Sequence, residues 1–241
     1  VDIAQVVAAA GDVPVMVDST FATPVLQRPA SHGATLVLHS ATKFLGGHGD
    51  VIAGVVACDE ETAKRLRQVR VLTGALLHPM GAWLLHRGLP TLAMRVERAQ
   101  ASATLLAERL GSHPAINRVW YPGHAGGDPG ELIGRQMMGP GAVLAFEMRG
   151  GLHAAADVLR NCQLITPAVS LGSVDSLIQH PAGLTHRIVS EAGREQGGVT
   201  AGMLRLSVGV EGAEDLWRDL SRALKAAAGA QRPGPSEIRA A

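Results

Sequence analysis

Much of what would single out a specialised class is missing from this chain. Of its 241 residues only two are cysteines, Cys58 and Cys162, far apart and in no metal-binding or redox spacing. Such sparing use excludes a disulfide scaffold, suits a reducing, cytoplasmic setting, and makes each thiol a candidate small core residue. No sign of charge dominates: 22 basic against 21 acidic residues leave a formal net charge of +1, with the signs interspersed. No field therefore selects nucleic acid or a membrane surface as partner. No apolar run approaches the roughly 18 residues of a membrane span, and no internal repeat is visible. The chain also has no initiator methionine. It opens on "VDIAQVVAAAG", an amphipathic helical pattern without signal-peptide architecture, and reads as the interior of a longer protein.

What is present is ordinary for a globular protein, with 46% hydrophobic and 18% charged residues. The first hundred residues alternate strand-like and helix-like stretches. "VPVMV" (13–17), "TLVLHS" (35–40) and "IAGVVAC" (52–58) are short apolar runs rich in β-branched residues. Runs of this kind suit strands buried on both faces, hence a largely parallel sheet covered by helices. "DEETAKRLRQVRVL" follows as a helix with acidic residues in its first turn. A long helical stretch over about 91–110 is placed to connect two lobes. Beyond it, "INRVWYPG", "AVLAFEMRG", a helix near 154–159, "LRLSVGVE" and a helix over about 215–228 mix strands with helices, as in a smaller α+β lobe. The expected division is a cofactor domain over 1–94, a small domain over 95–228 and a disordered polar tail over 229–241.

Two strand ends carry polar residues of a particular kind. Asp18 closes one run, and Ser40, Thr42 and Lys43 follow the next within "VLHSATKFLGGHGD". In open α/β sheets ligands collect beyond the carboxyl ends of strands. An unprotonated lysine amine there can form a Schiff base with an aldehyde. Hydroxyls and backbone N–H groups can bind a phosphate, and an aspartate can keep a pyridine nitrogen protonated. Aldehyde, phosphate and pyridine together describe pyridoxal 5′-phosphate. Two blander readings stand beside this one: a strand-end aspartate is often a turn cap, and a nucleotide-binding α/β protein is a further alternative. The glycines after Lys43 lack P-loop spacing and read as backbone accommodation.

The stretch "VDSTFATPVLQRPASHGATLVLHSATKFLGGHGD" resembles the active-site region of the Cys/Met-metabolism family of pyridoxal-phosphate enzymes. The likeness continues through "AWLLHRGLPTL", "YPG", "SLGSVDSLIQHPAGLTH" and "LRLSVGVE", nearly the whole chain apart from its tail. It implies a fold-type I architecture like that of aspartate aminotransferase: a large parallel-sheet domain and a smaller C-terminal α+β domain, with the N-terminal portion absent. It also implies roles. Lys43 matches the Schiff-base lysine, Asp18 the partner of the pyridine nitrogen, and Ser40 and Thr42 the cofactor contacts. Arg205 matches the clamp on the substrate α-carboxylate, and Ser170 a residue near that lysine and carboxylate.

Family members also carry, upstream, a tyrosine stacked on the cofactor, a Gly–Met pair at the phosphate, and a Tyr and Arg from a neighbouring subunit; none is in this chain. Ser19 stands where Asn is usual and Phe44 where Tyr is usual, neither expected to touch the chemistry. The implied activity is γ-elimination or γ-replacement on a sulfur amino acid. "GHGD", "AVSLG" and the apolar Val169 resemble methionine γ-lyases most, because relatives acting on cystathionine often carry Glu at the Val169 position. Cystathionine γ-lyase or γ-synthase and O-acylhomoserine sulfhydrylase are the alternatives, and an inactive cofactor-binding or association module is the non-enzymatic one. A homotetramer with shared active sites is the expected assembly.

Overall fold

A computed structural model describes residues 1–229. Its elements run α1 (Ile3–Ala10), β1 (Met16–Asp18), α2 (Thr23–Leu26), β2 (Leu36–Ser40), β3 (Gly54–Ala57), α3 (Glu60–Thr73), α4 (Pro79–Gly88) and α5 (Leu92–Gly111). They continue as β4 (Ile116–Trp120), β5 (Val143–Met148), α6 (Gly151–Asn161), β6 (Thr166–Pro167), β7 (Leu177–Gln179), α7 (Glu191–Gln196), β8 (Met203–Ser207) and α8 (Ala213–Gly229). Of the tail expected from residue 229, only Gly229 is described, where it closes α8; the rest lies outside the described residues. Among the described residues no helix is long and apolar enough to cross a membrane.

The first sheet has the order β1-β2-β3. β1 runs parallel to β2, with Asp18 opposite Leu38, whereas β3 returns antiparallel, with Gly54 opposite Ser40. The expected parallel arrangement therefore holds for one pairing and fails for the other. The reason lies in the connection: residues 41–53 form a turn rather than a helical crossover, and a parallel return needs the crossover. The turn is stitched to itself, since the Thr42 amide donates to Ala53 O at 3.3 Å and the Ala53 amide to Thr42 Oγ1 at 3.1 Å. Nor are these strands buried on both faces, for Met16 and Val56 are exposed. α3 starts under an Asp59 cap, whose carboxylate accepts from the Thr62 amide at 2.7 Å, yet it buries none of its residues.

The second sheet has the order β4-β5-β8-β7-β6, antiparallel except for the β6–β7 pair. β5 reads as the alternation in its sequence demands: Leu144, Phe146 and Met148 face inward while the residues between them are only half-buried. α5 turns Leu92, Val96, Ala99, Ala103, Leu106 and Leu110 inward at helical spacing. Ala103, Leu106 and Leu110 share one cluster with Val158 of α6 and Leu216, Leu220 and Leu224 of α8, whereas Leu92, Val96 and Ala99 pack with Ala22, Leu26, Phe44 and Leu171 in a second. α8 also anchors a loop, because its buried Asp219 accepts the Gln163, Leu164 and Ile165 amides, all at 2.9 Å, and pairs with Arg222. Four donors outweigh burial and hold the Asp219 carboxyl below its usual pKa. Both cysteines are free and half-buried, and burial pushes the Cys162 thiol up to about 12, so it is no nucleophile.

Candidate active site

Lys43 sits just past β2, at the head of a turn whose own hydrogen bonds fix it. The Lys43 amide donates to Ser40 O at 3.1 Å, and the Gly46 and Gly47 amides reach back to Ala41 O and Lys43 O at 2.9 and 2.8 Å. A buried arginine grips this turn from behind. Arg95, on α5, donates from Nη1 to Phe44 O at 2.8 Å, from Nη2 to Gly88 O at 2.9 Å and from Nε to Thr91 Oγ1 at 3.0 Å. Gly47 has a φ of +73°, and a Cβ there would lie 2.1 Å from Arg95 Nη1. The glycine is thus required twice, for its left-handed backbone and for the guanidinium beside it.

A cavity of about 570 Å³ opens beside the strand ends, lined by Asp18, Ser40 and Lys43 together with Ser19, Thr20 and Phe21 on one side and Met137 and Gly141 on the other. Asp18 caps its own turn, as the blander reading anticipated: Oδ1 accepts from the Thr20 amide at 2.9 Å. That bond leaves Oδ2 available, and Asp18 is exposed to the cavity side of β1. Thr20 Oγ1 accepts from the Ser40 amide at 2.7 Å and so ties the two strand ends together. Ser19 is also among the lining residues and is 2% exposed. An amine, a carboxylate and a hydroxyl converging on one cavity are the donors that an aldehyde, a pyridine and a phosphate ask for, so these residues fit pyridoxal phosphate.

Thr42 lies at the edge of this group, its hydroxyl engaged with the Ala53 backbone. The remaining sequence-nominated residues come from the second sheet. Lys43 Nζ donates to Ser170 Oγ at 2.8 Å, across 127 positions of sequence. Arg205, in the middle of β8, donates from Nη2 to the Ser170 carbonyl. Ser170 thus joins the amine to the guanidinium, and it does so with a φ of +96°, a conformation that costs a non-glycine residue of order 1–3 kcal/mol. Gly172 holds the same loop down: a Cβ there would lie 2.6 Å from the Phe44 amide nitrogen. Val169, next to Ser170, is exposed.

Electrostatics favour an amine that gives up its proton. Burial, and then the neighbouring Arg205 charge, pull the Lys43 pKa below that of a free lysine. Burial likewise lowers that of Arg205. On β2, His39 is 6% exposed with an unpartnered Nδ1; burial lowers its pKa while Asp18 and the Ser19 backbone oppose the shift.

Sequence reasoning passed over Arg95, Gln179 and the Met137–Val143 wall. Arg95 reads as one more helical arginine, and only the carbonyls brought to it by distant loops reveal its burial.

Over residues 1–225 the chain matches the family described as Cys/Met metabolism PLP-dependent enzyme. It is 59% identical over 226 residues to an L-methionine gamma-lyase of Brevibacterium aurantiacum, covering 94% of this chain and 55% of that protein. An L-methionine gamma-lyase of Streptomyces avermitilis is 56% identical over 223 residues, covering 92% and 50%. Among solved structures, a cystathionine gamma lyase from Micromonospora echinospora superposes with a TM-score of 0.90 at 40% identity, covering 93% of this chain and 60% of that one. A cystathionine gamma synthase from Xanthomonas oryzae pv. oryzae, in complex with cystathionine, gives 0.91 at 40% identity, covering 95% and 60%. The fold is that of the fold-type I PLP-dependent enzymes, and the chain belongs to their Cys/Met-metabolism family. It spans about half the length of the curated relatives it matches.

Proposed function

We propose that the protein is a PLP-dependent carbon–sulfur lyase that converts L-methionine to methanethiol, ammonia and 2-oxobutanoate. The observation that carries this reading is the link from Lys43 through Ser170 to Arg205, which gathers a proton acceptor and a carboxylate clamp around one serine. The curated relatives at 56–59% identity are L-methionine gamma-lyases, which favours methionine within the family.

In this reading Lys43 is the anchor for the cofactor, Asp18 offers its carboxylate to the ring nitrogen, and Ser40 and Thr42 serve the phosphate end. The bound cofactor supplies an electron sink for negative charge developing on the substrate carbons. Arg205 takes the α-carboxylate through its planar fork and fixes the amino acid's orientation. Lys43 Nζ, once free, removes the α-proton, and the burial and Arg205 charge that lower its pKa favour its unprotonated, basic form. Ser170 Oγ accepts from that amine and steadies it between proton transfers. Val169 lines the thioether's path and offers it no charge. Residues 1–94 then belong to the cofactor domain and 95–228 to the small domain, in a cytoplasmic homotetramer whose paired subunits share active sites.

The cystathionine-acting reading is kept because the solved neighbours at TM-scores of 0.90–0.91 carry those names. Product analysis on the full-length protein with methionine, cystathionine and O-acetylhomoserine in turn separates the two. Methanethiol from methionine, with poor turnover of the others, is expected; preferential cystathionine cleavage overturns the assignment. Borohydride treatment followed by peptide mapping is expected to leave the pyridoxyl group on the Lys43 peptide.

A further inference from the structure

We propose that Gln179 is a positioning residue that holds the Arg205 guanidinium without neutralising it, so that the first anion this arginine meets is the ligand's carboxylate. The inference rests on reading Arg205 as the carboxylate clamp and adds what prepares it. Gln179 ends β7 and stands directly opposite Arg205 in the antiparallel β7–β8 pairing. It is 1% exposed, a rare situation for an amide that does not serve a neighbour. With its side-chain oxygen turned to the guanidinium, it accepts from Arg205 Nη1 at 3.0 Å and from Nη2 at 3.2 Å. The other acceptor on Arg205 is the Ser170 carbonyl.

Both acceptors are neutral. The ion pairs among the described residues join Arg67, Arg109, Arg135, Arg160, Arg218 and Arg222 to carboxylates, and Arg205 is in none of them. A half-buried cation held by dipoles has lost much of its hydration without gaining a counter-charge. An arriving carboxylate supplies that charge and matches the fork bidentately. Glutamate at 179 has the reach of glutamine but carries the charge itself, and it would turn a docking point into an internal salt bridge.

The test uses the full-length holoenzyme and two unreactive amines: L-norleucine, which has methionine's length without a leaving group, and pentylamine, which is norleucine without the carboxylate. Binding of each is followed by the change in cofactor absorbance. Gln179→Glu is expected to weaken norleucine by at least about tenfold relative to pentylamine, because the internal carboxylate competes for the guanidinium. Gln179→Met, which keeps volume and loses the acceptor, is expected to weaken norleucine less but in the same selective manner. Should Gln179→Glu fail to fold, Gln179→Met alone decides. Equal weakening of both amines, or of neither, overturns the proposal and leaves Gln179 a packing residue. Arg205→Leu tells the two inferences apart: if it spares norleucine binding, the carboxylate-clamp reading itself fails. If Arg205→Leu weakens norleucine and the Gln179 variants do not, only the role of Gln179 falls.

Discussion

The two sheets solve the problem of staying folded in different ways. Around β4–β8 the chain closes on itself: Leu106, Phe146, Leu204, Leu216 and Leu220 are fully buried, and helices α5, α6 and α8 share one core. Around β1–β3 it does not. α3 buries no residue, Leu72 is 85% exposed, and β1 and β3 show open faces. Yet the lysine, aspartate and serine that carry the proposed chemistry all belong to this thinner region. Polar anchors add to a small apolar cluster around Phe44, with Arg95 gripping the Lys43 turn from one side and Ser170 from the other. The reactive residues thus lie beside a small apolar cluster of Ala22, Leu26, Phe44 and Leu171, under a sheet whose outer faces are open, and their geometry is shared with the better-packed sheet.

The contrast is most exposed to a pair of truncations read by urea unfolding. Leu204→Ala, in the closed core, is expected to cost about 2–5 kcal/mol, whereas Leu72→Ala on α3 should leave the midpoint where it was. A comparable loss from Leu72→Ala would mean that the α3 face is covered in the assembled protein. Next in size is Arg95→Leu, which strands the Phe44 and Gly88 carbonyls away from water and should cost about 2–3 kcal/mol. Its distinguishing sign is slower borohydride-trappable loading of the cofactor on Lys43. A core substitution of equal cost does not touch the turn and should leave loading unchanged.

Asp219→Asn comes third, at about 1–2 kcal/mol, since an amide oxygen still accepts from the 163–165 backbone but without charge assistance. The pH dependence follows from the lowered pKa of the carboxyl. Because its folded-state pKa lies below the usual 3.8, Asp219 stabilises the fold fully above that value. The advantage over the Asn variant should then disappear as acid carries the group through its folded pKa. A constant difference across that range would contradict the assignment. The smallest effect concerns Lys43 alone. Acylation of the cofactor-free protein should modify this amine at a lower pH than a free lysine amine requires, and a midpoint equal to that of a free lysine would remove the argument from burial.

How much of this could be read in advance differed between the sheets. The inward alternation of Leu144, Phe146 and Met148 and the helical spacing of α5 and α8 are written locally, and both survive in the structure. β6 and β7 have only two and three residues, too few for any period to show; their neighbours define them. The direction of β3 is a property of the turn before it rather than of its own residues. The site divides likewise. Asp18, Ser40 and Lys43 announce themselves as polar groups at strand ends. Arg205 and Ser170 became visible through family resemblance alone, because an arginine within a strand carries no mark of what faces it. Gln179 and Arg95 had no signal, for each is buried by partners that lie far off in sequence or across a sheet.

One close approach of main chain seats the two halves on each other. The approach of Gly172 to the Phe44 amide leaves no room for a methyl group, so two stretches of main chain 128 positions apart are seated directly on each other. Alanine at 172 would act as a spacer. It would pry the amine-bearing turn from the loop that leads to the guanidinium, and a single substrate would no longer be grasped at both ends.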